Sequence, residues 1–186
     1  MGNLTEDKIK VIAENSRASQ DKEELEALLL CLNDVEIKRV LEIGTWRGYS
    51  AEVWVKAFRP ELLISIDIGE EQDLWDGLEN PGKTDVVYGY GVDSHDPKSF
   101  LYIVKILQKN LIDFLFIDGD HSYEGVKKDF DMYSPLVRKG GLIAFHDVAV
   151  KDNDSVEVYK FWEELKTRYP YRLIHIRGTG VGVIHI

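Results

Sequence analysis

One stretch decides the fold of this chain: Val40-Leu41-Glu42-Ile43-Gly44-Thr45-Trp46-Arg47-Gly48-Tyr49-Ser50. It is an apolar strand that runs into two glycines and then into a helical pattern. Glycine allows a sharp turn and lets a ligand touch the backbone. In an open α/β sheet, ligands bind at the carboxyl ends of the strands, at the point where the strand order reverses. We therefore expect a ligand site at residues 44–48.

On both sides of this stretch, apolar β-branched runs alternate with helix-like segments. The predicted strands are Arg39–Ile43, Leu62–Ile66, Asp85–Tyr88, Ile112–Ile117 and Leu142–Phe145. The predicted helices are Asp21–Leu32, Tyr49–Phe58, Pro97–Lys109, Tyr123–Val137 and Ser155–Tyr169. Strands that alternate with helices are typical of a parallel sheet covered by helices on both faces.

The end of the chain has a different pattern. Tyr171–Ile176 and Val181–Ile186 are two predicted strands joined by a glycine-containing turn, which indicates a hairpin. We predict an α/β fold, doubly wound, with a mostly parallel seven-stranded sheet and a C-terminal antiparallel hairpin strand. We expect a single domain over residues 1–186, with a helical cap at 1–34 and an α/β core at 35–186. Gly69–Lys83 is predicted to hold only a short helix.

The composition excludes several classes of protein. The net charge of −10 repels the phosphates of nucleic acids and of anionic membranes. One cysteine cannot form an intrachain disulfide. No basic segment followed by an apolar one begins the chain, and no apolar stretch approaches membrane-spanning length. We therefore expect a cytoplasmic protein with no nucleic-acid or membrane partner.

The glycine loop distinguishes between two kinds of nucleoside ligand. A dinucleotide site needs a central glycine so that the backbone can approach a pyrophosphate, and this sequence has Trp46 at that position. S-adenosylmethionine carries no phosphate, so Trp46 is compatible with it. Asp67 ends the second strand and could accept hydrogen bonds from the ribose hydroxyls of either ligand. The simpler alternative is that Gly44 only turns the chain and Asp67 only caps a helix.

Polar side chains follow the fourth and fifth strands, whose carboxyl ends should lie side by side. They are Asp118, Asp120, His121, His146 and Asp147. Hard oxygen donors with few nitrogens favour Mg²⁺ or Mn²⁺ over zinc. Asp118 and Asp147 are the favoured ligands, and His146 or Asp120 could be the third. Alternatively, Asp120 caps the following helix and Asp147 caps a turn.

This chemistry suits methyl transfer to a hydroxyl group. A divalent cation can lower the pKa of a hydroxyl and orient it towards a sulfonium methyl group. A histidine can then remove the proton, and His121 is the best-placed candidate. The alternative for His121 is a capping or supporting role.

Three segments together resemble a known family. They are Leu41-Glu42-Ile43-Gly44-Thr45 with Gly48, Phe116-Ile117-Asp118-Gly119-Asp120-His121-Ser122-Tyr123-Glu124, and Gly140-Gly141-Leu142-Ile143-Ala144-Phe145-His146-Asp147. The chain resembles class I S-adenosylmethionine-dependent methyltransferases, in the branch of the cephalosporin-hydroxylase-like proteins and the macrolide-sugar and rhamnosyl O-methyltransferases. The resemblance spans about residues 37–147 and the final hairpin.

The resemblance implies a Rossmann-like fold and a role for each matching residue. Asp67 would hold the ribose of S-adenosylmethionine, and Asp93 and Ser94 would lie near the adenine, although one extra residue separates Gly91 from Asp93. The methionine end and the rest of the cofactor site would be held by Glu42, Gly44, Thr45, Gly48 and Asp118. The metal ligands would be Asp118, His146 and Asp147, and the catalytic residues Asp118 and His121.

The sequence therefore predicts metal-assisted O-methylation of a small hydroxylated acceptor, such as a sugar or a natural product. One alternative is an NAD-dependent oxidoreductase. Another is a non-catalytic protein that binds S-adenosylmethionine, because a fold does not establish an activity. A homodimer would allow so small a domain to close its site with a second copy.

Overall fold

The computed structural model describes residues 4–69 and 84–186, and within them the chain forms one seven-stranded sheet flanked by helices. The strands are β1 (Arg39–Ile43), β2 (Leu62–Ile66), β3 (Asp85–Gly89), β4 (Ile112–Ile117), β5 (Val137–His146), β6 (Tyr171–Ile174) and β7 (Val181–His185). The helices are α1 (Glu6–Glu14), α2 (Lys22–Leu32), α3 (Tyr49–Phe58), α4 (Pro97–Leu107), α5 (Tyr123–Tyr133) and α6 (Val158–Leu165).

The strand order is β3-β2-β1-β4-β5-β7-β6. Strands β1 to β5 pair in parallel, and β7 pairs antiparallel with both β5 and β6. The predicted mostly parallel sheet with one antiparallel hairpin strand is confirmed. The order reverses between β1 and β4, where ligands bind in folds of this type.

Two apolar cores lie on opposite faces of the sheet, because side chains of a strand alternate between its faces. Val40 joins the core beneath α1, α2 and α3, whereas Leu41 joins the core beneath α4, α5 and α6. The doubly wound arrangement is therefore confirmed. Within the described ranges, no helix is long and apolar enough to cross a membrane.

The N-terminal segment forms two helices that pack on one face of the sheet. Helix α2 begins as predicted, because the Asp21 carboxylate accepts the backbone N–H groups of Glu23 and Glu24. The leucines of this helix form a buried stripe: Leu25, Leu28, Leu29 and Leu32. Residues 6–14 form a second regular helix, α1.

The largest errors in the predicted boundaries fall at the end of α5, at the start of β5, which was predicted at Leu142, and at both ends of α6. The helix predicted over Tyr123–Val137 ends at Tyr133, because Pro135 lies in a short 3-10 turn and cannot continue an α-helix. Val137 is instead the first residue of β5, where it pairs with Ile112 across an irregularity in the strand register. Helix α6 is shorter than its predicted range of Ser155–Tyr169. The short helix predicted within Gly69–Lys83 falls largely on residues 70–83, outside the described residues.

Candidate active site

The carboxyl end of β1 is packed directly against the loop that follows β4. Gly44 has φ +85°, and a Cβ atom there would lie 2.0 Å from the carbonyl oxygen of Asp118 and 2.7 Å from the amide nitrogen of Gly119. The Asp118 N–H also donates to the carbonyl oxygen of Ile43 at 2.8 Å. Only glycine fits this position, and the reason is the approach of a neighbouring backbone as well as the turn itself.

Asp67 holds two loops at the end of β2. Its Oδ2 atom accepts the N–H of Trp46 at 2.6 Å, and its Oδ1 atom accepts the N–H of Gly69 at 2.7 Å. Trp46 has a left-handed φ of 46°, which is uncommon for a bulky residue. Each carboxylate oxygen has a second lone pair, so Asp67 can still accept a hydrogen bond from a ligand hydroxyl.

Two cavities lie at this edge of the sheet and share the wall made by Gly44, Asp67 and Asp118. The first has a volume of about 250 Å³, and the second about 320 Å³. The predicted residues that line only the first are Thr45, His121, His146 and Asp147, and those that line only the second are Asp93 and Ser94. An elongated ligand that passes over the shared wall would occupy both.

The two residues predicted to lie near the adenine, Asp93 and Ser94, are held by hydrogen bonds. Asp93 accepts the backbone N–H of His95 at 2.8 Å, which closes a tight turn. The carbonyl oxygen of Ser94 accepts the hydroxyl of Tyr133 at 2.7 Å. The extra residue after Gly91 therefore does not remove Asp93 and Ser94 from the second cavity.

Glu42 lies beneath the site and lines neither cavity. It is fully buried, and it accepts hydrogen bonds from the indole N–H of Trp54 at 2.8 Å and from the Ser65 hydroxyl at 2.5 Å. Burial raises the pKa of Glu42, although hydrogen bonds to the carboxylate act in the opposite direction. Gly48, with φ 76°, is the N-cap of α3 and bonds to the carbonyl oxygen of Thr45. Gly48, like Glu42, lines neither cavity.

Four side chains converge where β4 and β5 end. Asp118 Oδ1 lies 3.3 Å from His121 Nε2 and 3.2 Å from His146 Nδ1. Asp147 lies 3.4 Å from His121 Nε2 and 3.3 Å from His146 Nδ1. Asp147 also has a left-handed φ of 62°, a strained conformation that is common at functional sites. The predicted meeting of these strand ends is therefore present.

The donor atoms that best suit one cation belong to Asp118, His121 and Asp147. One atom from each lies within 4.8 Å of the others. From the sequence, His146 and not His121 is the predicted third ligand. His146 Nδ1 does contact both carboxylates, and its Nε2 lies 3.1 Å from the Thr179 hydroxyl.

Asp120 has a different role from its neighbours. Its Oδ1 accepts the N–H of Ser122 at 2.9 Å, and its side chain fills the space that a Cβ on Gly125 would need. The cap of α5 is Ser122, which accepts the N–H of Gly125. Asp120 thus forms the turn before the helix and lies apart from the candidate donor set.

The electrostatics of the cluster favour an ionised Asp118. Burial alone would raise its pKa, but hydrogen bonds from His121 and His146 and their charges hold it below its ordinary value. The hydrogen bond to Asp118 raises the pKa of His121, against the effect of burial. Burial opposes protonation of His146, yet Asp118 and Asp147 raise its pKa as well. The cluster therefore offers anionic oxygens and imidazole nitrogens together.

Two further residues, Gln20 and Glu24, were not among the site residues predicted from the sequence. Gln20, before α2, lies in the wall of the first cavity, and its amide nitrogen is 3.2 Å from Asp118 Oδ2. Glu24, which is buried, accepts backbone N–H groups of the β6–β7 turn, including those of Gly178 and Gly180. Glu24 thereby fixes the turn that brings Thr179 to His146.

Comparisons with known proteins agree with this architecture. An uncharacterized protein of Acanthamoeba polyphaga mimivirus is 37% identical over 116 residues, which are 58% of this chain and 50% of that protein. The chain thus spans about half the length of that relative.

Solved methyltransferases share the fold. The O-methyltransferase TomG from Streptomyces achromogenes, in complex with S-adenosylmethionine, superposes with a TM-score of 0.65 at 21% identity, over 99% of this chain and 91% of that one. The MycE methyltransferase of the mycinamycin biosynthetic pathway, in complex with Mg and S-adenosylhomocysteine, gives a TM-score of 0.66 at 16% identity, over 96% and 54% of the two chains. The fold is that of class I methyltransferases.

The family model described as a methyltransferase domain matches residues 41–148, which run from the middle of β1 to just past Asp147. That range is more than half of the chain and includes both the glycine loop and the carboxylate cluster. The chain belongs to this methyltransferase family.

Proposed function

We propose that this chain is an S-adenosylmethionine-dependent O-methyltransferase that acts on a small hydroxylated molecule, with a divalent cation in its site. One observation carries the proposal: Asp118 belongs both to the wall shared by the two cavities and to the donor set with His121 and Asp147. A cofactor that spans the cavities would therefore end beside a group of residues suited to bind a metal and a hydroxyl.

The cofactor is assigned by the chemistry of the two cavities. Asp67 offers two anionic oxygens at the shared wall, which suits a ribose diol. Asp93 and Ser94 line the second cavity, where the adenine would lie. TomG, which has the same fold, was solved with S-adenosylmethionine. We infer that the adenosine part occupies the second cavity and the methionine part the first.

The donor set fits Mg²⁺ or Mn²⁺. Two carboxylates and one imidazole are hard donors of the kind these ions prefer, and MycE was solved with Mg. When bound, such a cation lowers the pKa of an acceptor hydroxyl and orients it. We assign His121 as the third ligand, and His146 steadies the two carboxylates. That assignment conflicts with the predicted base role of His121, because one nitrogen cannot bind a metal and accept a proton together.

The test is methyl transfer to a panel of sugars and other hydroxylated compounds, with Mg²⁺ or with EDTA. We expect transfer that EDTA abolishes and Mg²⁺ restores. His121→Asn should raise the Mg²⁺ concentration needed for half-maximal activity, about 10- to 100-fold for loss of a ligand or its support. A variant that needs no more Mg²⁺ than the wild type but stays slow at saturating Mg²⁺ would indicate that His121 acts as the base. Activity that is insensitive to EDTA would contradict the proposed role of the metal, although not the proposed methyl transfer.

The competing hypotheses make different predictions. An NAD-dependent oxidoreductase would bind NAD, but Trp46 stands at the position where the fingerprint needs a glycine. A non-catalytic protein would bind S-adenosylhomocysteine and transfer no methyl group to any acceptor. The single domain, the homodimer and the cytoplasmic location stay predictions.

A further inference from the structure

Gln20 carries a buried amide oxygen that needs a donor. Only 5% of the residue is exposed, and it contributes to the wall of the first cavity. Among the described residues, its Oε1 atom has no hydrogen-bond partner. Because buried polar atoms in native proteins are nearly always paired, such an atom indicates a group that is supplied from elsewhere.

The orientation of the amide follows from its neighbour. The amide nitrogen of Gln20 lies 3.2 Å from Asp118 Oδ2. An ionised carboxylate can only accept hydrogen bonds, so the nitrogen of the amide must face it and the oxygen must face away. Oε1 is thus an acceptor, and its missing partner is a donor.

The identity of that donor rests on the proposed function. If the adenosine part of S-adenosylmethionine lies in the second cavity, its amino-acid end lies in the first, beside Gln20. The carboxylate of that end accepts hydrogen bonds and the sulfonium carries no proton, so the ammonium group is the only donor at this end of the cofactor. None of the described residues that line this cavity is Lys or Arg, and the carboxylate of Asp118 lies beside Gln20.

We propose that Gln20 binds the ammonium group of the methionine part of the cofactor, so that the loop before α2 completes the cofactor site. Gln20 then has two tasks at once: its nitrogen supports Asp118, and its oxygen selects a cofactor that carries an amino group. A hydroxyl of the methyl acceptor is the other possible donor, and the experiment separates the two.

The experiment measures the affinity of the full chain for two probes by calorimetry. The probes are S-adenosylhomocysteine and its deaminated analogue, which keeps the carboxylate and lacks the ammonium group. Both are titrated into the wild type and into Gln20→Met, which removes both polar atoms at similar volume. Gln108→Met, at an exposed glutamine after α4, is the matched control. Gln20→Ala replaces Gln20→Met if the latter does not fold, as judged by thermal melting.

Gln20→Met should lower the affinity for S-adenosylhomocysteine about 10- to 100-fold, which is the effect of losing one hydrogen bond to a charged group. The affinity of the same variant for the deaminated analogue should fall by no more than about threefold. Gln108→Met should change neither affinity. Equal weakening of both probes would overturn the proposal and leave Gln20 with a supporting role only. Unchanged affinities with a raised KM for the methyl acceptor would overturn it in favour of the acceptor hydroxyl. If the wild type binds no S-adenosylhomocysteine, the proposed function itself has failed.

Discussion

Glu42 and Asp118 lie near the carboxyl ends of the neighbouring strands β1 and β4, and their surroundings give them opposite properties. Glu42 has no exposed surface and accepts hydrogen bonds from the Trp54 indole and the Ser65 hydroxyl, which are both neutral. The side chain of Asp118 is 15% exposed, opens into both cavities and is bonded by two histidines. Burial raises the pKa of Glu42, whereas the histidines lower that of Asp118.

The difference shows that an acid at a strand end is not by itself a catalytic group. Imidazole partners favour the ionised form of Asp118, which opens into both cavities. Glu42 has neutral partners and complete burial, and its hydrogen bonds join β1 to α3 and β2. The resemblance to known methyltransferases implied a cofactor contact for both acids, and only the contacts in the folded chain separate them.

The strongest test of this contrast replaces Asp118 with Asn. Asp118→Asn removes an anionic oxygen from the donor set, and the loss of metal assistance is worth several kcal/mol, so the rate of methyl transfer should fall by about 10³-fold or more. The measurement is the initial rate with saturating acceptor and Mg²⁺. Asp131→Asn, at an exposed ion pair with Lys127 on α5, is the control and should keep the wild-type rate. A rate within about tenfold of the wild type would place the reacting groups elsewhere.

The second test concerns Asp67, which we propose to bind the ribose. Asp67→Ala removes two hydrogen bonds to a charged group, so the affinity for S-adenosylhomocysteine should fall by about 100-fold or more. Calorimetric titration measures this change. Asp85→Ala, at an exposed position at the start of β3, should bind as the wild type does. Unchanged affinity in Asp67→Ala would leave that residue as a tie between the loops of Trp46 and Gly69 only.

The smallest effect is expected for Glu42→Gln. An amide nitrogen cannot accept the bonds from Trp54 and Ser65 as a carboxyl oxygen does, so the free energy of unfolding should fall by about 1–2 kcal/mol. Affinity for S-adenosylhomocysteine should stay within about threefold of the wild type. Urea denaturation and calorimetry measure the two quantities. A loss of affinity as large as that of Asp67→Ala would show that Glu42 reaches the cofactor after all.

The pH dependence of folding stability tests the raised pKa of Glu42. Because burial raises the pKa of Glu42 above its ordinary value of 4.5, the folded chain holds this proton more tightly than the unfolded chain. The stability that Glu42 contributes is fully present below about pH 4.5 and is lost as the pH rises through the raised pKa. The stability deficit of Glu42→Gln should therefore shrink as the pH rises. Urea denaturation across that range checks this, and a growing deficit would contradict it.

The sequence predicted the sheet and the place of the site because both depend on local patterns. Apolar runs, glycines and cap residues act over a few positions, and the carboxyl ends of parallel strands must share one edge. This reasoning identified Asp118, His121, His146 and Asp147 as neighbours. It failed where Pro135 ended a helix early, although that signal was present in the sequence.

The rest of the site depends on contacts between distant parts of the chain. Gln20 and Asp118 are 98 positions apart, and Glu24 and Gly180 are 156 apart. Glu24 lies in the first turn of α2, but its carboxylate accepts hydrogen bonds from the hairpin turn. No local pattern distinguishes these roles, because the partners meet only after the sheet has formed.

In the proposed function, the two cavities joined at Asp67 and Asp118 bind the methyl donor. Calorimetric titration of S-adenosylhomocysteine into the full chain tests this binding, with NAD as the control ligand and with Mg²⁺ or EDTA present. We predict saturable binding of S-adenosylhomocysteine at one site per chain and no heat of binding with NAD. Binding of NAD, or no binding of S-adenosylhomocysteine under either condition, would contradict the account.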